Sequence, residues 1–287
     1  MNAAHRESKV EPMRPRRGRI PLIVRDITTR DKQFTMRQRY LESMTFKTSG
    51  SGGRFVSKGS GGELKIKIAQ SSIPSIVTSG LVLYLDAGNP ASYPGSGTTW
   101  TDLSGQGNDA ILTNGPIFDS GNGGSIIFDG SNEHAPMTTN GFPFGSSAGT
   151  ISCWANVASV SAGFLWIVAY GNAVIGQSRF LGTNGNTYYY GGYGDDITAS
   201  GVTINTWFNM VGVYNGSTAS IYVNGALVSG PTAKSWNTIA NVSAVARQTS
   251  GAEYWNGKIA QVLVYNQALS DAEVLQNFNV DKTRFGL

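Results

Sequence analysis

Ser220-Ile-Tyr-Val-Asn224-Gly225-Ala-Leu-Val228 sets two apolar runs on either side of an Asn-Gly pair. Asn and Gly tolerate positive φ at both central turn positions, so this stretch predicts a two-residue type I′ hairpin. The same texture recurs outward from it, as short apolar runs divided by Gly, Asn and Ser. Candidate strands fall at 80–86, 125–129, 150–157, 164–170, 178–181, 187–193, 207–214, 219–223, 226–228, 242–246 and 258–265. Many short strands with turn residues between them predict an antiparallel sandwich. One helix is expected, over 270–279, with Ser270 as N-cap, Glu273 closing a capping box, and Val274, Leu275 and Phe278 as its apolar face.

Composition agrees. The 287 residues include 37 glycines and 10 prolines, and only 14% are charged against 40% hydrophobic, which fits a turn-rich β protein and not a disordered chain or a helical bundle. The longest apolar run, 163–170, is too short for a membrane-spanning helix. Cys153 is the single cysteine, so no intramolecular disulfide is expected, and its place between Ser152 and Trp154 marks it as a small buried hydrophobe. Residues 1–19 lack an apolar core segment, so no secretory leader is expected.

The net charge of +4 conceals a division. Residues 1–77 carry 16 Lys and Arg against 6 Asp and Glu, a net of +10, whereas 78–287 carry 6 against 12, a net of −6. An asymmetry of this size reads as an interaction arm, 1–77, joined to a folded domain, 78–287. Arg14, Arg16, Arg17 and Arg19 lie among three prolines, a composition that cannot bury a core. Residues 33–47 fit helix or strand. Residues 63–69 alternate Leu64, Ile66 and Ile68 with Lys65 and Lys67, the pattern of an amphipathic strand that joins a partner sheet. Nucleic-acid binding through phosphate neutralisation is one reading of the arm. Docking on an acidic protein surface is the preferred one, because no aromatic residue interleaves with the arginine cluster to stack on bases.

Five motifs carry a family resemblance. They are Gly80-Leu-Val-Leu-Tyr-Leu-Asp-Ala-Gly88, Trp100-Thr-Asp-Leu-Ser-Gly-Gln-Gly-Asn108, Ile151-Ser-Cys-Trp154, Ile221-Tyr-Val-Asn-Gly225, and the stretch from Asn256-Gly-Lys-Ile-Ala to Leu-Ser-Asp-Ala-Glu273. In this order they resemble the laminin-G-like or pentraxin-like branch of the concanavalin A-like lectin and glucanase superfamily. The resemblance implies a mainly β fold, a two-sheet antiparallel jelly roll, here preceded by an extended basic arm. The Asp-Leu-Ser-Gly-x-Gly-Asn loop and the basic leader are similar to those of bacteriophage virion proteins.

Glucan-cleaving members use Glu-x-Asp-x-x-Glu, because residues two apart on a strand share a face and bring two carboxylates together. That triplet is absent; Asp129 and Glu133 flank a turn, and Asp195-Asp196 are adjacent. His5 and His134 cannot build a histidine triad or metal site. The expectation is therefore a chain that is not an enzyme. Calcium is the metal implied by the resemblance, with Asp102, Asn108 and Asp109 as oxygen donors. The alternative is that Asp102 and Asn108 hold Asx turns, and Ala260 and Gln261 stand where relatives often carry acids. For sugars, exposed rings beside carboxylates are the feature to seek. Thr187-Tyr-Tyr-Tyr-Gly-Gly-Tyr-Gly-Asp-Asp196 offers Tyr188, Tyr190, Tyr193, Asp195 and Asp196, the alternative being that the tyrosines fill sheet faces. Trp154, Trp166 and Trp207 are core candidates, whereas Trp100, Trp236 and Trp255 lie near turns. The leading expectation is a virion structural protein, a capsid decoration or cement protein made in the host cytoplasm and commonly a symmetric oligomer, docked by its arm. A carbohydrate-binding module is the second, and a polysaccharide hydrolase the third.

Overall fold

The computed structural model describes residues 75–159 and 163–287, and the backbone of two dipeptides nearer the N-terminus. The chain divides into two units, Met1–Ser71 and Ser72–Leu287. In the first, β1 (Thr35–Met36) pairs antiparallel with β2 (Leu64–Lys65), Thr35 opposite Lys65 and Met36 opposite Leu64. Ile66, Ile68, Arg14, Arg16, Arg17 and Arg19 lie outside the described residues.

The second unit holds β3 (Leu81–Asp86), β4 (Thr99–Trp100), β5 (Ala110–Ile111), β6 (Ile117–Asp119), β7 (Ser125–Asp129), β8 (Ala135–Pro136), β9 (Gly149–Val157), β10 (Phe164–Gly171), β11 (Ser178–Asn184), β12 (Thr187–Gly191), β13 (Ile197–Ser200), β14 (Trp207–Tyr214), β15 (Thr218–Val223), β16 (Ala226–Ala233), β17 (Val242–Val245), β18 (Asn256–Tyr265) and α1 (Asp271–Asp281). A six-stranded sheet runs β13-β12-β11-β10-β17-β8. An eight-stranded sheet runs β16-β15-β14-β9-β18-β7-β6, with β3 beside β18. The expected mainly β sandwich is thus the observed one. Strands β4, β5, β6, β8 and β13 were not expected; each is at most four residues long, too short for period-two alternation to show, and β8 pairs with the distant β17.

Strand β18 is the spine of the larger sheet. One edge pairs with β9 from Gly257 opposite Val157 to Tyr265 opposite Thr150. The other edge is shared, β7 taking Asn256–Ile259 and β3 taking Gln261–Tyr265. The expected hairpin joins β15 to β16 with Asn224 at φ 51° and Gly225 at φ 77°. Both central residues are left-handed, as a type I′ turn requires.

The core fills the space between the sheets. Leu83, Leu85, Ile151, Cys153, Met210, Ile221, Val262 and Val264 of one sheet meet Leu165, Ile167, Val168, Tyr170, Leu181, Tyr188 and Tyr190 of the other. A bulge in β10 between Trp166 and Val168 lets both Ile167 and Val168 face inward. Trp100, Trp236 and Trp255, expected near turns, are buried and join this core. Their loops fold over the open ends of the sandwich, so turn residues there become core.

The outer face of the eight-stranded sheet is roofed by the chain's own C-terminal helix. Ser270 caps α1 with the predicted box: its side chain accepts from the Glu273 backbone N–H, and the Glu273 carboxylate accepts from the Ser270 backbone N–H. Val274 packs on Val211, Val213, Leu263 and Tyr265. Phe278 and Phe285 stack on Trp154, with ring centroids 5.7 and 4.3 Å away. Arg284 pins the segment through Asp86 at 2.8 Å and the carbonyls of Asn122 and Gly124.

Candidate functional site

The loop 102–109 is built by its own polar side chains. Asp102 Oδ1 accepts from the backbone N–H of Tyr84 and Ser104, and Oδ2 from the Ser104 hydroxyl and the Asn108 backbone N–H. Asp109 Oδ1 accepts from the Asp102 N–H at 2.8 Å. Asn108 donates to the carbonyls of Val82 and Asn140, and its Oδ1 accepts from Thr138 and from the Asn140 N–H. These oxygens already accept from protein donors and hold the loop as Asx-type scaffolding. No group of three or more His, Cys, Asp or Glu side chains converges among the described residues.

The tyrosine strand resolves differently from its expected orientation. Tyr188 and Tyr190 share a face, as alternation demands, but that face is the interior one: they are 4% and 0% exposed. Their expected role as sugar contacts is corrected on that ground, since a ring in the sandwich core cannot meet a ligand. Tyr189 takes the outer face. There it belongs to an aromatic row with Phe164, Trp166, Phe180 and Tyr193. Trp166 lies 4.1 Å from Phe180 between centroids, Phe164 stacks on Trp166 at 5.4 Å, and Tyr189 meets Phe164 edge-on at 5.2 Å. Such arrangements follow the ring quadrupole.

Two glycines make room for this row. Trp166 is paired with Gly182, and Phe180 with Gly191. A Cβ at Gly182 would collide with the Trp166 ring and the Leu165 carbonyl, and one at Gly191 with Phe180 and the Asp196 carboxylate. Trp166 and Phe180 therefore sink against the sheet as a buried floor, tilted 58° to one another, with Phe164, Tyr189 and Tyr193 half-buried around them.

A carboxylate stands at each end of the row. At one corner Glu253 Oε2 accepts from the Trp166 indole N–H at 2.6 Å. Its loop also carries Arg247, whose guanidinium donates to His134 Nε2 at 3.1 Å, while His134 Nδ1 faces the Asn132 carbonyl and its ring lies 5.9 Å from Tyr254. This fixes the proton on Nδ1, and burial, with Arg247 adding, holds the His134 pKa below its ordinary value. At the opposite corner the turn after β12 places Asp196 beside Phe180. Its carboxylate accepts from the backbone of Gly192 and Gly194, and burial raises its pKa. Its Oδ1 is buried without a partner among the described residues. Tyr193 at φ 59° and Glu253 at φ 57° give both corners a left-handed non-glycine residue. Such backbones cluster where a site dictates the geometry.

Asp195 turns away from Asp196 into a cleft at the end of the sandwich. It pairs with Lys234 at 2.6 Å, and Lys234 also donates to the Asp196 carbonyl. The cleft, about 640 Å³, is lined by Ser146, Ser217, Ser235 and Asn237 over a floor of Trp236 and Tyr214. Of the expected sugar contacts, the structure brings Tyr193, Asp195 and Asp196 to one turn. Phe164, Trp166, Phe180, Tyr189, Lys234 and Glu253 were not anticipated. The spacings Phe180-x-Gly182 and Tyr189-x-Gly191, each a ring and a gap on one strand face, are the signal that could have found two of them.

Comparison with known proteins places this geometry. Residues 129–275, about half of the chain, match the laminin G-type family described as the concanavalin A-like lectin/glucanases superfamily. No curated protein matches the chain. Among solved structures, a mutant of Trypanosoma rangeli sialidase displaying trans-sialidase activity is similar with a TM-score of 0.57 and 16% identity, over 74% of this chain and 35% of that one. The receptor binding domain of botulinum neurotoxin type G is similar with a TM-score of 0.55 and 15% identity, over 70% of this chain and 51% of that one. The binding domain of Paraclostridial mosquitocidal protein 1 gives 0.53 and 18%, over 70% and 52%. The chain thus spans about a third of the sialidase and about half of each toxin domain, and at these identities the likeness is one of fold. The expectation that the chain is not an enzyme is corrected here. Sialidases share its fold, so a missing glucanase triplet does not separate it from catalytic proteins; the likeness itself assigns no activity.

Proposed function

The chain belongs to the concanavalin A-like lectin/glucanases superfamily, and from that premise we propose that it recognises a glycan on the outer face of its six-stranded sheet. One observation carries the reading: among the described residues no element roofs the aromatic row, although the matching face of the other sheet is roofed by α1. Half-buried rings offer the apolar face of a sugar a stacking surface, and carboxylates accept its hydroxyls. The toxin neighbours, one a receptor binding domain and the other a binding domain, support the same reading. The test is a glycan array followed by calorimetry with Tyr189→Ala and Tyr193→Ala. Each variant, still folded by circular dichroism, should lose about tenfold or more in affinity. Binding that survives both changes, or no binding by the wild type, overturns the proposal.

A second reading is favoured by the charge division of +10 on 1–77 against −6 on 78–287. It is a virion structural protein whose basic segment docks on an acidic shell while the jelly roll faces outward. Association with shells emptied of nucleic acid should then weaken when Arg14, Arg16, Arg17 and Arg19 are replaced by Ala, most at low salt. Association that ignores all four changes would refute it.

A further inference from the structure

Cations are scarce in residues 78–287, which hold only six Lys and Arg, and the structure shows where each is engaged. Arg179 is wholly buried, its guanidinium 4.7 Å over the Tyr214 ring. Lys258 pairs with Asp119 and Arg284 with Asp86. Lys282 sits over Phe278 on the roofed sheet. That leaves Lys234 and Arg247 near the aromatic row. Lys234 is held by the Asp195 carboxylate and the Asp196 carbonyl. Arg247 donates to His134, and its Nε is buried. Backbone donors at the turn are engaged as well, since Gly192 and Gly194 already serve Asp196.

Recognition of a carboxylate or sulfate needs a guanidinium fork or a nest of free N–H groups, and neither faces the row among the described residues. What does face it is acceptor-only: Glu253 stands exposed at one corner, while the Oδ1 of Asp196 at the other is buried. An exposed acceptor requires a donor on the ligand, and an anionic ligand would meet the like charge of Glu253 there. Between the corners lie β10, β11 and β12, about 10 Å of sheet, a span suited to a short oligosaccharide.

Resting on the glycan reading above, we infer that the ligand is an uncharged oligosaccharide, laid along the Phe164, Tyr189 and Tyr193 rings with a hydroxyl donated to Glu253, and that sialylated, sulfated and uronate glycans are rejected. This separates the site from any that binds an acidic sugar, even though the fold is shared with sialidases.

The experiment uses the full chain on an array that pairs neutral oligosaccharides with their sialylated, sulfated and uronate counterparts. Neutral members should be bound, and their charged counterparts about tenfold or more weakly. Affinity for the neutral members should change less than about twofold between about 0.05 and 0.5 M NaCl, because no ion pair is formed with the ligand. Glu253→Arg, which supplies the missing fork at one corner, should bring acidic members up toward their neutral counterparts. Acidic members bound as tightly as neutral ones by the wild type, with binding lost in Tyr189→Ala, would overturn this inference while leaving the glycan reading in place. An array blank for the wild type would overturn the glycan reading and this inference with it.

Discussion

The two sheets turn unlike faces outward. On the eight-stranded sheet, Trp154, Leu263 and Tyr265 are roofed by Val274, Phe278 and Phe285. On the six-stranded sheet, Trp166 and Phe180 are almost as deeply buried, at 3% and 1% exposed, but by neighbouring rings and a single loop. The first face is closed with aliphatic and aromatic contacts from a capped helix. The second is bordered by carboxylates and left-handed turns. Burial alone therefore does not distinguish a packing surface from a binding surface; the identity of the covering group does. A face covered by helix is committed to stability, while a face covered by its own rings still presents ring edges to a partner.

The sharpest way to break this comparison is to truncate one ring on each face. Trp154→Ala should cost about 3–5 kcal/mol, since it empties the space between Phe278 and Phe285, whereas Tyr189→Ala should cost about 1 kcal/mol or less and act on ligand affinity. Urea denaturation of both variants decides; equal losses would erase the difference between the faces. A smaller effect is expected at the floor. Gly182→Ala drives a methyl into Trp166 and should cost about 1–3 kcal/mol through overpacking while raising the ring from the sheet. Unchanged stability with unchanged Trp166 fluorescence would show that the floor is not fixed by this gap.

The smallest effect concerns pH. His134 is held neutral, with a pKa below the ordinary 6.5, by burial first and Arg247 second. The unfolded chain takes up the proton more readily, so this contribution is present above about pH 6.5 and is lost as pH falls through the unfolded and then the folded value. The melting temperature should accordingly drop less between pH 7.5 and 5 in His134→Gln than in the wild type, and an identical drop would count against it. This is a property of the loop corner near Glu253.

Local rules were legible in the sequence where local chemistry decides. Asn224-Gly225 and the Ser270 to Glu273 box each act within a few residues, and both stand as read. Alternation correctly grouped Tyr188 with Tyr190 against Tyr189. Period two tells which residues share a face, but not which face meets the core; that depends on the second sheet. Trp166 reads as core because its strand is apolar throughout, and it is buried, but in the outer-face cluster with Ala169 and Phe180, since the bulge at Ile167 and Val168 supplies the residues that face the other sheet. The aromatic row joins three strands through the registers of Trp166 with Gly182 and Phe180 with Gly191, information that no single segment carries. Asp102 and Asn108 offered a ligand reading beside a turn-forming one, and the hydrogen bonds they make within the loop bear out the turn-forming role.

The position of β18 in the chain bears on how the molecule comes to be folded. The strand that holds β9, β7 and β3 together lies at Asn256–Tyr265, and its residue Gln261 sits opposite Asp86, 175 positions earlier. During synthesis the larger sheet has no centre until that late segment leaves the ribosome, so β3 and β7 must wait with unpaired edges while more than a hundred residues follow. Pairings of such long sequence separation belong to the slow end of folding rates and leave partly made chains open to association. Nascent chains stopped before residue 256 should consequently be the ones that chaperones retain.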